Sequence, residues 1–462
     1  MAEKNLWLTY DEQQMKEMNK VIDTYKQCLD MGKTERECVR VSRKMAMDAG
    51  YVPLSAFIES GKALKPGDKV FAEYNEKTMV LYHIGEESME KGMNILGAHI
   101  DSPRIDVKQN PLYETEDLAY LDTHYYGGIK KYQWVATQLA LHGVICKKDG
   151  SVVNICIGEK EDDPVFAITD LLPHLGAAQM EKKANKVIEG ENLDLLIGGA
   201  PIEDEDEKES VKKGILKILK DTYDVEEDDF ISAELEIVPA GKARDLGFDR
   251  SMVIAYGQDD RICAFTSLMA QLALEETPKR TACTLLVDKE EIGSYGSSGM
   301  QSRFFENMTA EVLALAGFPA AISLRRCLAN SKMLSSDVNA AFDPLFPEVF
   351  EKKNTSFLGR GLVFTKFTGS RGKGSSSDAN PEYIAKLRKV MDDNNVRFQT
   401  AELGKVDIGG GGTIAWITAN YGMEVIDSGL AILCMHAPME ISSKTDIYEA
   451  VKGYTAFLVD ME

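Results

Sequence analysis

Five short apolar runs in this chain end on, or lead straight into, a residue able to bind a metal ion. They are Asn94-Ile-Leu-Gly-Ala-His-Ile-Asp101, Tyr256-Gly-Gln-Asp-Asp-Arg261, Thr284-Leu-Leu-Val-Asp-Lys-Glu-Glu-Ile-Gly293, Met333-Leu-Ser-Ser-Asp337 and Ala431-Ile-Leu-Cys-Met-His436. The residues in question are His99, Asp259, Glu291, Asp337 and His436. Short apolar runs bounded by polar residues read as buried strands, and an open α/β sheet presents its ligands at the carboxyl ends of such strands. The pattern therefore requires a sheet on which distant strands converge at one edge. Two imidazoles and three carboxylates suit a pair of divalent ions that share one carboxylate, and that combination points to metal-assisted hydrolysis.

Composition decides only what the chain is not. Its 462 residues leave room for two or three domains, and its hydrophobic fraction of 44% is enough for a large core. A net charge of −21 argues against a nucleic-acid or anionic-membrane partner, because polyanions would be repelled. No stretch approaches the ~20 apolar residues of a membrane span, and the polar start Met-Ala-Glu-Lys-Asn-Leu-Trp lacks a signal-peptide core. The eight cysteines show neither a C-x-x-C pair nor a disulfide framework, and several lie in apolar runs, as in Val144-Ile-Cys146 and Ile432-Leu-Cys434. They read as buried free thiols of a cytoplasmic protein.

Periodicity then divides the chain. Residues 11–29 and 34–48 follow a helical repeat, and Lys69 to Ile84 alternates as a hairpin leading toward the strand that ends at His99. Between 106 and 245 strand-like pieces (Val135 to Val144, Ser151 to Ile157, Leu235 to Pro239) alternate with charged stretches. The acidic clusters Glu203–Glu207 and Glu226–Asp229 lack the spacing of a calcium loop and read as solvated surface. This part is expected to be a second domain inserted into the first, with both linkers near the metal site. The α/β alternation resumes at Met252, with an amphipathic helix over Asp260 to Glu275 and helical segments near 308–316 and 381–392. Gly409-Gly-Gly-Gly-Thr413 lacks the Lys-Ser/Thr ending of a phosphate loop, and reads as backbone packed against a site or another strand.

The chemistry of the set is coherent. Three carboxylates and a hydroxide nearly neutralise two divalent ions, as a cleft of low dielectric demands. Consecutive side chains at a strand end point in different directions, so Glu291 can bind metal while Glu290 faces substrate. Glu290 can then act as general base for the attacking water and pass the proton to the leaving amine. Asp101, two residues after His99, is placed to accept from the second imidazole nitrogen and fix the ring. His83, His124, His142 and His174 taken alone read as core or surface histidines.

With those residues in hand, the chain resembles the aspartyl aminopeptidases of metallopeptidase family 18. The likeness lies in Gly97-Ala-His-Ile-Asp-Ser-Pro103, Gln258-Asp-Asp-Arg261, Asp288-Lys-Glu-Glu-Ile-Gly-Ser294, Leu334-Ser-Ser-Asp337 and Cys434-Met-His-Ala437. It implies an α/β fold: a mixed-sheet catalytic domain of the zinc-peptidase type with helices on both faces (residues 1–105 and 246–462), and an inserted β-rich dimerisation domain (106–245). It also implies Asp259, rather than Asp260, as the bridge, His99 and Asp337 on one ion, Glu291 and His436 on the other, and Glu290 as base. The ions would be zinc, with cobalt and manganese compatible with the same ligands, and the assembly a cytoplasmic dodecamer built from dimers. Peptides would be the substrates, cut one residue at a time from the N-terminus. Lys366 falls where an acid-preferring member places a substrate-binding lysine, with Arg371 and Lys373 nearby, and Leu172-Pro-His174-Leu resembles the stretch whose histidine reaches a neighbouring subunit's site. One departure weakens the acidic preference: the stretch after Asp337 holds Asp343 where the family often carries histidines. The alternatives are a metal amidohydrolase or deacylase, a broad or neutral-residue aminopeptidase, and a non-enzymatic shell protein.

Overall fold

The run that ends at His99 becomes the middle strand, Asn94–His99, of a nine-stranded mixed sheet in the computed structural model, which describes residues 4–203, 208–370 and 372–462. Ala282–Val287 lies parallel on one side of it, Lys332–Ser336 parallel on the other, and Glu424–Gly429 parallel beyond that. The hairpin Lys69–Tyr74/Thr78–His83 adds antiparallel to Ala282–Val287, and Leu362–Thr365 adds antiparallel to Glu424–Gly429. Because successive side chains of a strand alternate, each central strand is buried on both faces. Leu96 and Ala98 pack into one core with helices Glu12–Met31, Glu35–Asp48, Gln258–Leu272, Pro381–Asp393 and Lys444–Asp460. Ile95 packs into the opposite core with Leu54–Ser60, Phe304–Leu315, Ala321–Asn330 and Ala415–Ala419. The fold is mixed α/β with helices on both faces of the sheet.

Local signals account for the first two helices. Asp11 and Gln14 form one reciprocal capping box, Thr34 and Glu37 the other, and Gly32 closes the first helix. Tertiary context overrides the signal in Gln258–Leu272. The sequence suggests an amphipathic helix, yet every residue but Met269 and Leu272 is buried, because the helix lies inside the first core. A smaller five-stranded sheet runs in the order Arg244–Leu246, Met252–Ala255, Glu440–Ser443, Ala431–Leu433, Asn339–Ala340.

The chain divides into two compact units. One runs to Asp101, resumes at Ala243–Met435 and ends with Glu440–Glu462; the other holds Ser102–Lys242 and His436–Met439. The division falls a few residues from the expected 106 and 245. Arg104 and Ile105 already pair with Tyr126 and Tyr125 in the second unit, whereas the Ala243 N–H donates to Asp30 in the first. The second unit is an antiparallel six-stranded sheet in the order Val152–Ile157, Leu139–Cys146, Ala233–Pro239, Arg104–Thr115, Leu118–Tyr126, Leu195–Gly198, together with the helix Ser210–Tyr223. Of the two acidic clusters, 204–207 lie outside the described residues, and Glu226 and Asp229 cap a short 3-10 helix.

One expectation about the cysteines is corrected. Cys28, Cys38, Cys263, Cys283 and Cys327 are buried, but Cys146, Cys156 and Cys434 are exposed. Cys146 is the last residue of its strand and Cys434 follows the end of another, so their apolar neighbours do not cover them. Among the described residues no helix is long and apolar enough to cross a membrane.

Candidate metal centre

Three adjacent parallel strands deliver the first part of the site to one edge. His99 ends the middle one. Val287, its partner in register, is followed by Asp288 and then by Lys289 in the left-handed region (φ 67°), which turns the chain into a single 3-10 turn, Glu290–Ile292. Asp337 follows Lys332–Ser336 on the other side. The second sheet supplies the rest: Met252–Ala255 leads through Gly257 (φ 70°) into Asp259 and Asp260, which carry non-helical backbone at the head of their helix.

The imidazole is the hub. Its Nε2 lies 3.3 Å from Asp259 Oδ1, 3.9 Å from Glu290 Oε2 and 3.9 Å from Asp337 Oδ1. Its Nδ1 lies 2.9 Å from the main-chain oxygen of Asp101 and 3.2 Å from that residue's carboxylate. Potential ligand atoms of His99, Asp259 and Glu291 all fall within 4.8 Å of one another, as do those of His99, Asp260 and Asp337. The side chains of Glu290 and Asp337 are 16% and 14% exposed against 2% for His99, so these two reach the accessible side of the cluster.

So many carboxylates in one buried place need compensation. Burial pushes Asp260 well above the usual carboxylate range, the Asp259 charge adds to this, and His99 and the Cys263 thiol oppose it. Asp337 is raised by burial and by the Asp260, Asp259 and Glu290 charges. Burial alone would lower the His99 imidazole, but Asp101, Asp259 and Glu290 outweigh it and raise it well above its ordinary range. The Asp260 carboxylate is fully buried, and what faces it is the Cys263 thiol and the His99 main chain. Buried carboxylates gathered around one imidazole fit a divalent cation of the zinc type.

Among the described residues neither triad includes the other sequence-derived site residues. His436 is in neither triad; it clusters with the second unit, where its Nδ1 is 2.8 Å from the Gly128 main-chain oxygen. His174 is an exposed residue of that second unit. Lys366 follows Leu362–Thr365 and is exposed, Lys373 pairs with Asp378 at 3.1 Å, and Arg371 lies outside the described residues. In the glycine run, a Cβ on Gly409 would meet Leu403 O at 1.8 Å, and one on Gly410 would meet Gly369 O at 2.0 Å, so these two glycines answer to neighbouring loop backbone. Two buried residues went unassigned by sequence reasoning. Asp260 was weighed only as a rival to Asp259. Glu440, whose Oε2 accepts from the Asp259 N–H at 3.0 Å, carries no local signal at all.

The mixed sheet with helices on both faces is that of a zinc-peptidase-type domain, and a buried imidazole among carboxylates at its carboxyl edge suits the metal of such a hydrolase. The family model described as Aminopeptidase I zinc metalloprotease (M18) matches residues 28–458, and the chain belongs to that family. A probable M18 family aminopeptidase 1 of Clostridium acetobutylicum is 59% identical, over 98% of each chain. The crystal structure of an M18 aminopeptidase from Thermotoga maritima superposes with a TM-score of 0.94 at 42% identity, covering 99% of both chains. That of aminopeptidase I from Clostridium acetobutylicum gives 0.93 at 57% identity over 100% of both. A structure described as the S. cerevisiae mApe1 dodecamer, at 19% identity and a TM-score of 0.77, covers 97% of its own chain and 96% of this one, and shares the fold. The protein is a metal-dependent aminopeptidase.

Proposed function

We propose that this aminopeptidase works with two divalent ions, most simply zinc, and that Glu290 is its general base. The observation that carries the reading is the crowding around His99: Asp259, Asp260, Glu291 and Asp337 bring more negative charge than one divalent ion neutralises, and more donors than one tetrahedral ion uses. His99, Asp259, Glu291, Asp337 and His436 would hold the pair, with Asp259 as bridge. When bound, the ions would polarise the scissile carbonyl and make the attacking water more acidic. Glu290, on the accessible side, takes the proton from that water and returns it to the departing amine. Asp101 and the Asp259–Glu440 bond keep the surrounding groups in place.

An acidic N-terminal residue is the preferred substrate in this reading. Lys366 is exposed and has no carboxylate partner among the described residues, so its ammonium is open to a substrate carboxylate, while Asp343 is engaged in its own turn, accepting from the Leu345 N–H at 2.9 Å. The unit spanning Ser102–Lys242 serves assembly, and the chain forms a cytoplasmic homo-oligomer, a dodecamer built from dimers. Its exposed Leu175 and Met180, 70% and 74% accessible, support a contact surface, and His174 beside them would reach a neighbour's site.

The test is a kinetic profile over aminoacyl substrates with each metal returned to stripped enzyme, alongside metal stoichiometry and the mass in solution. Two ions per chain, activity lost to chelator and restored by zinc, and faster turnover of Asp and Glu substrates are expected. One ion per chain at full activity would overturn the two-metal reading.

A further inference from the structure

Glu290 and Glu291 sit neither on a strand nor on a long helix, but on one 3-10 turn entered through Lys289 (φ 67°) and left through Gly293 (φ 99°). A turn this short has no ladder of neighbouring rungs to fix it. Its own bonds are few: Ile292 N to Lys289 O at 3.3 Å, Gly293 N to Glu290 O at 2.9 Å and Ser294 N to Lys289 O at 2.7 Å. From further along the chain Gln301 bonds its closing end, through Nε2 to Gly293 O at 2.9 Å and through its N–H to Ser294 O at 3.1 Å, and the two glutamate amides themselves meet a carboxylate from the strand end at His99. The Glu290 N–H donates to Asp101 Oδ1 and the Glu291 N–H to Asp101 Oδ2, both at 3.1 Å. Asp101 has no exposed surface, so its charge is concentrated on the groups it meets.

Two consecutive amides held by the two oxygens of one rigid carboxylate have both peptide planes fixed relative to the strand that carries His99. The direction in which the Glu290 and Glu291 side chains leave the backbone follows from those planes. The His99 ring, by comparison, has a second acceptor at hand: its Nδ1 is closer to the Asp101 main-chain oxygen (2.9 Å) than to the carboxylate (3.2 Å). Changing the side chain of residue 101 leaves that main-chain oxygen in place. The ring therefore depends less on the carboxylate than the turn does.

We propose that Asp101 is the positioning residue of the base: its carboxylate clamps the amides of Glu290 and Glu291 and so aims the proton acceptor and its metal-binding neighbour together. This rests on the reading of Glu290 as base and Glu291 as ligand. It differs from an imidazole-orienting role in what it predicts. Asparagine at 101 keeps one acceptor and turns an –NH₂ toward the other N–H, so one of the two amide bonds gives way to donor facing donor. The turn loosens while the ligand atoms of His99, Asp259 and Asp337 are left as they were.

The experiment compares Asp101→Asn and Asp101→Glu with the unsubstituted full chain, loaded with zinc. Glutamate keeps the charge but displaces it by one methylene, so either variant reports should the other fail to fold. Metal content, kcat, KM and amide hydrogen exchange over residues 288–295 are measured together. Expected, at a zinc concentration high enough to keep the loosened Glu291 site filled, are full metal content, KM within about threefold and kcat lower by about a hundredfold, the cost of an ångström-scale misplacement. Amide exchange in the turn should rise about tenfold or more, the mark of a lost local constraint. Exchange in 288–295 that stays as in the parent, or a kcat loss that excess zinc repairs, overturns the clamp and leaves Asp101 acting on the metal through His99. Glu290→Gln is run in parallel: full activity there removes the base assignment, whereas the exchange data judge the clamp independently.

Discussion

The main-chain N–H of Asp259 donates to Oε2 of Glu440 at 3.0 Å, across 181 residues of sequence. Glu440 opens the strand that pairs with Met252–Ala255, its Cα partner being Ala255, so the bond locks the head of the aspartate loop onto the second sheet. Gln258 reinforces the same junction by donating through Nε2 to Glu440 O at 2.6 Å. Truncating Glu440 to alanine removes a charged acceptor from a buried N–H, a loss of roughly 1–3 kcal/mol. We expect Glu440→Ala to weaken zinc binding about tenfold or more, as outer partners of metal ligands do, and Glu440→Gln to recover most of it. Competition with a chromogenic chelator measures both. Equal affinities in the three proteins would show that the bond does not place Asp259.

Glu290→Gln removes the proton acceptor and keeps the shape. Its kcat should fall by about 10² to 10⁴, the usual worth of a positioned acid–base group, with bound zinc unchanged by elemental analysis. Loss of zinc in parallel with activity would instead make Glu290 a ligand.

Lys366→Ala should erase the advantage of aspartyl and glutamyl substrates over leucyl and alanyl ones, mainly through KM. Of the two described lysines in this stretch Lys366 is the attraction for the second carboxylate, because Lys373 is already paired with Asp378. An unchanged ratio of kcat/KM values across the panel would end the assignment.

Metal uptake should weaken as pH falls. His99 holds a proton above its ordinary range, and Asp260 and Asp337 do the same, so cations compete with protons for this cluster. Isothermal titration of zinc into stripped enzyme, in buffers of different ionisation enthalpy, should register net proton release near neutral pH. Heat independent of buffer would contradict it.

Asp427 gives the chain a second pH dependence, away from the metal cluster. Burial lifts its carboxyl from 3.8 to about 7, against the opposing hydrogen bonds of Thr413 and Ser335. In that window the folded chain binds a proton that the unfolded chain has released, so this group's contribution to stability declines as pH climbs from 3.8 to about 7. Asp427→Asn removes the dependence. In metal-stripped protein its melting temperature should gain on the parent between about pH 4.5 and 7.5 and converge at the acid end, as the raised pKa requires. Parallel melting curves would show that residue 427 stays ionised throughout.

The sequence determined what depends on neighbours along the chain. Capping residues at Asp11 and Thr34, the alternation of Lys69–His83 and the apolar runs before His99, Glu290 and Asp337 each specify an element within a few residues, because backbone hydrogen bonding and side-chain period are local. The ordered donor motifs carried the chemistry for the same reason, since a strand end followed by a ligand is written in consecutive letters. Tertiary structure decided the rest. That Asp260 joins Asp337 beside His99, that Glu440 holds the Asp259 amide and that one Asp101 carboxylate reaches two amides are contacts between residues far apart in sequence. The burial of Gln258–Leu272 on nearly every face, and the exposure of Cys146 and Cys434 inside apolar stretches, follow equally from which element packs on which. Periodicity reports how a segment can fold, whereas the surface it finally meets is set by the strand order of three sheets that no single segment encodes.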